Sequence, residues 1–385
     1  MDRRHFLLGS SALSVVLASR RALADQERRV LVLVELKGGN DGLNTVVPYA
    51  DPLYRQLRPG IGVARDKTIQ LDERVGLNGR LEPLMEAWKA GDLAIVQGVG
   101  YPSPNRSHFR SIEIWDTGSA SSQVLSEGWI SRAFEGVQLP RGAGVDGIVA
   151  DTNALPMMGP GLRTIVMHDA ENFLRQAAAM KGSGDPRDDG NPALRHLLEV
   201  RHEVNAAAAG LHDRLRDGPA PAYTFAAEDG FGHQLDLATR ILLARVPVVA
   251  IKVALIGFDT HANQVPTQER LLGFLASGLA TFRKNLVAAN LWNNVALMTY
   301  SEFGRRVRQN ASGGTDHGTA ASHFVMGGKI KGGLHGAHPS LADLQDGDLK
   351  YAVDFRNLYS TLSKGCWGLR HDFGQRQARP LDLFT

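Results

Sequence analysis

Cysteine is almost absent from this sequence. The 385 residues contain a single one, Cys366, so no disulfide can form within the chain. No apolar run after the N-terminal segment approaches the roughly 20 residues that a membrane-spanning helix needs. No Gly-Lys-Ser/Thr loop and no G-x-G-x-x-G loop follows a predicted strand. These absences exclude a disulfide scaffold and argue against membrane-embedded and nucleotide-binding folds.

The chain also has little net charge once its first residues are set aside. It is formally +3, and residues 1–24 supply that excess with four arginines against one aspartate. The rest is near neutral, so a sequence pI of about 9.0 does not indicate a nucleic-acid or acidic-membrane partner. With 43% hydrophobic and 22% charged residues, the composition is that of an ordinary globular protein.

The N-terminus has the layout of an export signal. Arg3 and Arg4 precede the apolar stretch 6–18, and Ala22-Leu23-Ala24 offers a small-residue cleavage site. The apolar stretch is too short for a spanning helix, so a cleaved twin-arginine signal (residues 1–24) is favoured over an uncleaved anchor. We expect the twin-arginine machinery to export the folded protein to the periplasm or the medium, with residues 25–385 as one domain.

Short apolar runs alternate with longer amphipathic segments along this domain. The runs indicate strands and the periodic segments indicate helices. The predicted strands are Val30–Leu36, Leu93–Val99, Val246–Ile256, Asn294–Tyr300 and His323–Met326; the predicted helices are Leu81–Ala90, Ser107–Gly118, Ala193–Leu215, Gln234–Ala244 and Gln264–Ala289. The alternation predicts an α/β fold with a mainly parallel central sheet and helices on both faces. Residues 168–245 are predicted to be a helical insertion, with a surface loop at Lys181–Pro192.

Candidate site residues follow the predicted strands, where ligands bind in open α/β sheets. Asp41 comes after the first strand, in a glycine-rich segment that is also consistent with an ordinary tight turn. Ser107 begins the helix after the second strand, which suits a nucleophile or anion site, although an N-cap is the favoured role for a serine at this position.

Three further groups of candidates follow the later strands. Asp259 and His261, two residues apart, can face one metal ion, or Asp259 can cap the next helix. Glu302 follows the Asn294–Tyr300 strand directly, and a glycine-framed Asp316-His317 pair comes next. Arg305 and Arg306 are either anion-binding or solvated.

Five segments together resemble a known family. In chain order they are GGNDGLN, NRSHF, FDTHANQ, SEFGRRV and GTDHGT. Behind a twin-arginine signal they resemble the bacterial family called domain of unknown function 1501, over nearly the whole mature chain. That family in turn resembles the alkaline phosphatase and sulfatase superfamily, which has an α/β sheet with one or two metals at the strand ends.

The resemblance implies roles for these residues. Asp41, Asp259 and His261 would hold metal, Ser107 would be the nucleophile and His317 would complete the first metal site. Glu302–Phe303 matches an Asp-His pair of the second metal site, which puts that site in doubt unless Asp316 replaces the missing imidazole. The separation of Asp259 from His261 by one residue is also shorter than the superfamily pattern.

We therefore expect a divalent metal site and an ester hydrolase. Four carboxylates brought together would repel one another unless a cation lay between them. Zn²⁺ is the first expectation, with Mn²⁺ or Ca²⁺ as alternatives. The expected reaction is metal-assisted hydrolysis of a phosphate or sulfate ester, carried by a small molecule or a polymer, with Arg106 or His108 binding anionic oxygens.

Two other functions remain open. One is a non-catalytic, exported metal- or glycan-binding protein on a degenerate hydrolase scaffold, motivated by Phe303 and the short Asp-x-His spacing. The other is a metal-free serine hydrolase using Ser107 and His261, which the lack of a G-x-S-x-G elbow disfavours.

Overall fold

The computed structural model describes residues 29–139, 144–181, 191–226, 230–375 and 378–385. The predicted export signal and residues 182–190 of the predicted surface loop lie outside these ranges. No helix within them is long and apolar enough to cross a bilayer.

The strands of the described residues form one large sheet and two small ones. The large sheet contains β1 (Val30–Lys37), β5 (Leu93–Gly100), β6 (Gly147–Val149), β7 (Thr164–Val166), β8 (Ala250–Ile256), β9 (Val295–Tyr300), β10 (Ala321–Met326), β11 (Gly333–His335) and β14 (Val353–Asp354). One small sheet contains β2 (Val46–Val47), β3 (Thr68–Gln70) and β4 (Gly76–Asn78). The other is the hairpin of β12 (Leu344–Gln345) and β13 (Asp348–Leu349).

The large sheet is mainly parallel, as the sequence predicted. Its strand order is β11-β5-β10-β9-β1-β8-β6-β7, and β14 also pairs with β5. β10 runs antiparallel to both of its neighbours, and the other pairs are parallel. The five predicted strands are present, although the one predicted at Val246–Ile256 begins only at Ala250. The shorter strands were not predicted because they are too short for a clear periodic signal.

The helices of the described residues are α1 (Gly42–Thr45), α2 (Pro52–Leu57), α3 (Met85–Lys89), α4 (His108–Thr117), α5 (Trp129–Ala133), α6 (Ala170–Lys181), α7 (Pro192–Asp217), α8 (Gly230–Leu243), α9 (Gln264–Ala288) and α10 (Phe355–Trp367). Short 3₁₀ turns cover Arg65–Lys67, Gly79–Leu84, Leu155–Met157 and Trp292–Asn294. The predicted helix Leu81–Ala90 is instead a 3₁₀ turn followed by the short α3. Pro83 accounts for the break, because its ring removes a donor from a helix interior.

Helices cover both faces of the sheet. Side chains alternate along β1, so Val32 and Val34 pack with α8 and α9, whereas Leu31 and Leu33 face the side of α4, α5 and α10. Both clusters are buried, which explains why β1 shows an almost unbroken apolar run. Helices α6, α7 and α8 lie within residues 168–245, and the division into one domain with an insertion stays a prediction.

Candidate metal centre and active site

The loops after the parallel strands lie side by side at one edge of the sheet. β1 and β8 pair in register up to Lys37 and Ile256, so the segments after them leave the sheet together. Gly38 has a φ of +111°, and a Cβ added there would lie 2.3 Å from the backbone nitrogen of Asp259. Only glycine tolerates both that angle and that contact. The close approach of the two loops therefore depends on Gly38.

Three imidazoles converge on one carboxylate oxygen at this edge. Asp259 Oδ1 lies 3.1 Å from His261 Nε2, 3.3 Å from His317 Nε2 and 3.4 Å from His108 Nε2. The Nε2 atoms of His261 and His317 are 2.9 Å apart. Among the described residues, His108, Asp259 and His317 form the one group of three whose possible ligand atoms all lie within 4.8 Å of one another. We call the four side chains of His108, Asp259, His261 and His317 the histidine cluster.

Each histidine of the cluster is held through its other ring nitrogen. Its Nδ1 lies within hydrogen-bonding distance of an oxygen that can only accept, so Nδ1 carries the proton and donates it. The pairs are His108 Nδ1 with Glu302 Oε1 (2.8 Å), His317 Nδ1 with the backbone oxygen of Arg106 (2.8 Å) and His261 Nδ1 with Asp316 Oδ1 (3.3 Å). The Nε2 lone pairs are consequently all directed at the region around Asp259 Oδ1.

This geometry fits a zinc ion. Tetrahedral Zn–N and Zn–O bonds of about 2.0–2.1 Å place neighbouring ligand atoms about 3.3 Å apart. The three distances from Asp259 Oδ1 to the imidazoles, and the distance between the Nε2 atoms of His261 and His317, are 2.9 to 3.4 Å. The ligand atoms of His108, Asp259 and His317 all lie within 4.8 Å of one another. A second hydrogen bond from the non-ligating ring nitrogen is also typical of metal-binding histidines. A donor set of imidazoles with one carboxylate favours Zn²⁺ over Ca²⁺, which binds oxygen.

The electrostatics of the cluster prepare Asp259 and His317 to bind a cation. Burial alone would raise the pKa of Asp259, but the hydrogen bond and charge of Arg305 lower it to about 2. Burial lowers the pKa of His317, so its imidazole favours the neutral form. The hydrogen bond with Glu302 raises the pKa of His108, so at that residue a proton competes with a metal.

Arg305 connects the loops around the cluster. Its guanidinium lies 2.8 Å from Asp259 Oδ1 and donates to the backbone oxygens of Gly39 (2.7 Å), Thr315 (2.8 Å) and Phe258 (3.0 Å). It also bonds the oxygen of Gly38. The side chain is fully buried, so Arg305 is neither a solvated residue nor a free anion-binding group. Sequence reasoning missed this role because it depends on segments far apart in the chain.

Ser107 lies between two residues that contact the cluster. Its position is that of the α4 N-cap, but its side chain makes no capping hydrogen bond. Its backbone N–H donates to Asn105 Oδ1 at 2.8 Å, and the residue is exposed. The preceding residue, Arg106, accepts from His317, and the following residue is His108. The hydroxyl of Ser107 is therefore not engaged in the cap that the sequence favoured for it.

The two residues expected to bind anionic oxygens have other partners. The guanidinium of Arg106 pairs with Asp348, although the side chain stays 39% exposed. His108 faces Asp259 and belongs to the histidine cluster. The position of His108 at the start of the helix after β5 was the sequence signal that could have indicated a metal ligand.

Asp41 is placed apart from the cluster. Its Oδ1 caps α1 by accepting from the N–H groups of Leu43 and Asn44. Its Oδ2 accepts from Arg58 Nη1 at 2.6 Å and from Gln264 Nε2 at 2.5 Å, and the side chains of Asp41 and Arg58 are fully buried. Asp41 thus caps a short helix instead of forming the tight turn that was its alternative role, and its role as a metal ligand stays a prediction.

Glu302 and Asp316 touch histidines of the cluster rather than its centre. Glu302 Oε1 accepts from His108 Nδ1 and from the backbone N–H of Gly38 at 2.9 Å. Asp316 also accepts from Asn310 Nδ2 at 3.2 Å. The four carboxylates expected to crowd together thus have separate partners. Their mutual repulsion does not call for a cation, and the case for a metal rests on the imidazole lone pairs.

Phe303 provides an apolar surface beside the cluster. Its buried ring lies 4.9 Å from the ring of His108 and 4.5 Å from that of His317, centroid to centroid. The residue that replaces an expected imidazole therefore packs against two ligand candidates. Among the described residues, no second group of potential metal ligands lies beside the histidine cluster.

Comparisons with known proteins give one family and several structures of similar fold. The model of the family described as "Protein of unknown function (DUF1501)" matches residues 73–379. No curated protein matches the chain.

The similar structures have low sequence identity. A protein of the alkaline phosphatase superfamily from Vibrio parahaemolyticus is 12% identical, with a TM-score of 0.43 over 92% of this chain and 70% of that one. The lipoteichoic acid synthase LtaP from Listeria monocytogenes is 8% identical, with a TM-score of 0.40 over 92% and 75%. The zinc complex of the periplasmic domain of EcEptC from Escherichia coli is 13% identical, with a TM-score of 0.37 over 78% and 73%. These similarities concern the fold alone.

Proposed function

The chain belongs to the DUF1501 family of proteins of unknown function, and we propose that it is an exported, zinc-dependent hydrolase of phosphate or sulfate esters. The observation that carries the proposal is the convergence of three Nε2 lone pairs on Asp259 Oδ1. Three side chains of the histidine cluster, with His108, Asp259 and His317 as the group whose ligand atoms lie within 4.8 Å of one another, would hold the ion and leave its fourth position open to a substrate. When bound, zinc acts as a Lewis acid that polarises an ester oxygen and lowers the pKa of a nearby hydroxyl.

Ser107 is the proposed nucleophile. Its hydroxyl has no capping hydrogen bond, and the residues before and after it contact the cluster. The N–H groups of the first turn of α4 have no partners within the helix, and the helix dipole makes this end positive. Both features support binding of the anionic oxygens of an ester beside the Ser107 hydroxyl.

The open side of the cluster supports access by a substrate. The side chain of Asp259 is 49% exposed and that of His261 is 45% exposed, whereas Phe303, which packs against His108 and His317, is buried. A zinc site that served only to stabilise the fold is expected to be closed to solvent. Structural zinc sites use four closed protein ligands.

The proposal is tested by metal analysis and by hydrolysis of three chromogenic esters. The probes are 4-nitrophenyl phosphate, bis(4-nitrophenyl) phosphate and 4-nitrophenyl sulfate. We expect one zinc per chain, lost in His317→Ala but kept in His212→Ala, whose histidine is exposed on α7. Ser107→Ala should lower the rate by about 10³-fold or more, because only electrostatic and binding contributions remain. Ser122→Ala, at an exposed serine after α4, is the matched control.

The same experiment separates the alternatives. A zinc-loaded protein that turns over none of the three esters would instead support the metal- or glycan-binding function. One specific observation motivates that second candidate: Phe303 occupies the position expected for an imidazole. Activity that persists after chelation would support the metal-free serine hydrolase.

The proposed export is tested separately. We expect Arg3→Lys combined with Arg4→Lys to retain the protein in the cytoplasm, because the paired arginines are the recognised feature of the signal. Periplasmic or secreted protein in the double variant would refute this route.

A further inference from the structure

A cavity of about 780 Å³ adjoins the proposed nucleophile and does not include the histidine cluster. We call it the hairpin cavity. One wall is the segment before Ser107, with Tyr101, Asn105 and Arg106. The other is the β12–β13 hairpin and the residues after it, with Gln345, Asp348 and Tyr351.

The cavity is connected to the site through two hydrogen bonds. Asn105 Oδ1 accepts from the backbone N–H of Ser107 at 2.8 Å, and the backbone oxygen of Arg106 accepts from His317 Nδ1 at 2.8 Å. Both acceptors belong to residues that line the cavity. The lining of the cavity therefore contacts Ser107 and His317, which places the cavity next to the proposed position of the ester group.

The hairpin presents polar groups at the rim of the cavity. β12 and β13 are joined by Asp346 and Gly347, which both have positive φ, at +52° and +82°. Such two-residue turns are rigid connections that match the twist of the strands. Gln345 and Asp346 are exposed, and within the described part of the chain their side chains make no hydrogen bond. They are available to a ligand.

The charges of the cavity disfavour a second anion. Arg106 is paired with Asp348, and Lys350 with Asp343, so the cationic groups of the lining already have partners. By contrast, Asp346 has no cation beside it in the described residues. Asp348 Oδ1 is buried and receives no hydrogen bond there, with Arg306 Nε 3.8 Å away. Oxygen acceptors without donors call for a ligand that donates hydrogen bonds.

An aromatic surface completes the lining. Tyr351 lines the cavity and is 43% exposed, so its side chain is accessible to a ligand there. An aromatic face beside amide and carboxylate groups matches a molecule with apolar C–H faces and several hydroxyl groups. A neutral sugar has both features.

We infer that the hairpin cavity binds a neutral, polyhydroxylated alcohol of the sugar type, which is the alcohol portion of the ester. Tyr351 contacts its C–H face, and Gln345, Asp346 and Asn105 bind its hydroxyl groups. The inference rests on the proposed function for the position of the ester group, and it names the substrate class of the same site.

The test measures binding of defined probes to the zinc-loaded mature protein by saturation-transfer NMR. The probes are D-glucose, D-galactose, D-mannose and N-acetyl-D-glucosamine, with choline and inorganic sulfate as competing classes. We expect at least one sugar to bind, and Tyr351→Ala to weaken it about tenfold, the loss typical of one aromatic contact. Tyr223→Ala, at a tyrosine that is 49% exposed elsewhere, should bind as the wild type does.

The outcomes distinguish this inference from the proposed function. If none of the four sugars binds, or if choline or sulfate binds in a Tyr351-dependent manner instead, the inference is overturned, whatever the activity on 4-nitrophenyl esters. Sugar binding that depends on Tyr351, without turnover of any ester, would keep the sugar site and refute the hydrolase.

Discussion

Replacing Glu302 with glutamine tests whether Glu302 binds the metal itself or holds the metal ligand His108 in place. Its Oε1 accepts from His108 Nδ1 at 2.8 Å and from the Gly38 N–H at 2.9 Å. Glutamine retains the shape and one acceptor oxygen but removes the charge. A hydrogen bond to a charged acceptor is about twice as strong as one between neutral groups. The variant should thus hold His108 in place less firmly without removing it.

The expected effect is a moderate loss of zinc affinity. Removal of an outer hydrogen-bonding partner of a metal-binding histidine typically costs 10- to 100-fold in affinity, about 1.4 to 2.7 kcal/mol. Because the two hydrogen bonds of Glu302 Oε1 are short and the carboxylate is buried, we expect the upper half of that range. Loss of the charge should also lower the pKa of His108, since the hydrogen bond with Glu302 is what raises it.

Competition between the protein and a chromophoric zinc chelator measures this affinity. The wild type, Glu302→Gln and His317→Ala are compared with Glu113→Gln, which changes an exposed glutamate on the same helix as His108. An affinity within twofold of the wild type would refute the supporting role of Glu302. Loss of zinc as complete as in His317→Ala would show that Glu302 is itself a ligand, as the sequence predicted.

Three further predictions concern buried charges. Asp41→Asn should keep its zinc but lose about 3–5 kcal/mol of unfolding free energy, because the buried Arg58 loses its anionic partner. Lys252→Met should lose up to a similar amount, because the buried Glu35 loses the ammonium that lies 2.5 Å from it, whereas Asp151 keeps Lys37 at 2.7 Å. Burial raises the pKa of Asp116 to about 7, so the native state binds more protons than the unfolded state between about pH 4 and 7. Wild-type stability should therefore fall across that range as pH rises, by up to about 4 kcal/mol, and Asp116→Asn should remove this decrease.

Denaturant unfolding measures all three, with metal analysis added for Asp41→Asn. Lys331→Met is the control for Lys252, because its ion pair with Asp382 is exposed and should contribute no more than about 1 kcal/mol. Loss of zinc from a folded Asp41→Asn protein would restore Asp41 as a ligand. An Asp116→Asn variant with the wild-type pH slope would contradict the raised pKa.

The sequence predicted the long elements well because their signals are local. The β1 run and the periodic α9 segment each determine their own structure, and their alternation is sufficient to predict a parallel sheet. The family prediction is also confirmed: the matched residues 73–379 include four of the five motifs. The short strands were harder to predict, since packing decides them and periodicity does not. The break at Pro83 is a local signal that the prediction of one continuous helix overlooked.

The sequence predicted which loops form the site, but not the role of each side chain in it. Asp259, His261 and His317 do meet, as the strand-end rule implies. Which carboxylate faces the centre and which supports a histidine depends on side-chain direction within irregular loops, and the spacing of residues carries no such information. Asp41 illustrates the limit of such reasoning, because its partner Arg58 comes from a segment with no sequence signal of its own.

The buried guanidinium of Arg305 has a consequence for how the protein acquires its metal. The side chain of Arg305, and not a metal ion, connects the loops that carry Asp259, Thr315 and the glycines after β1. The protein should therefore finish folding first and be loaded afterwards. A chelator should remove the metal reversibly and leave the loops around the site folded.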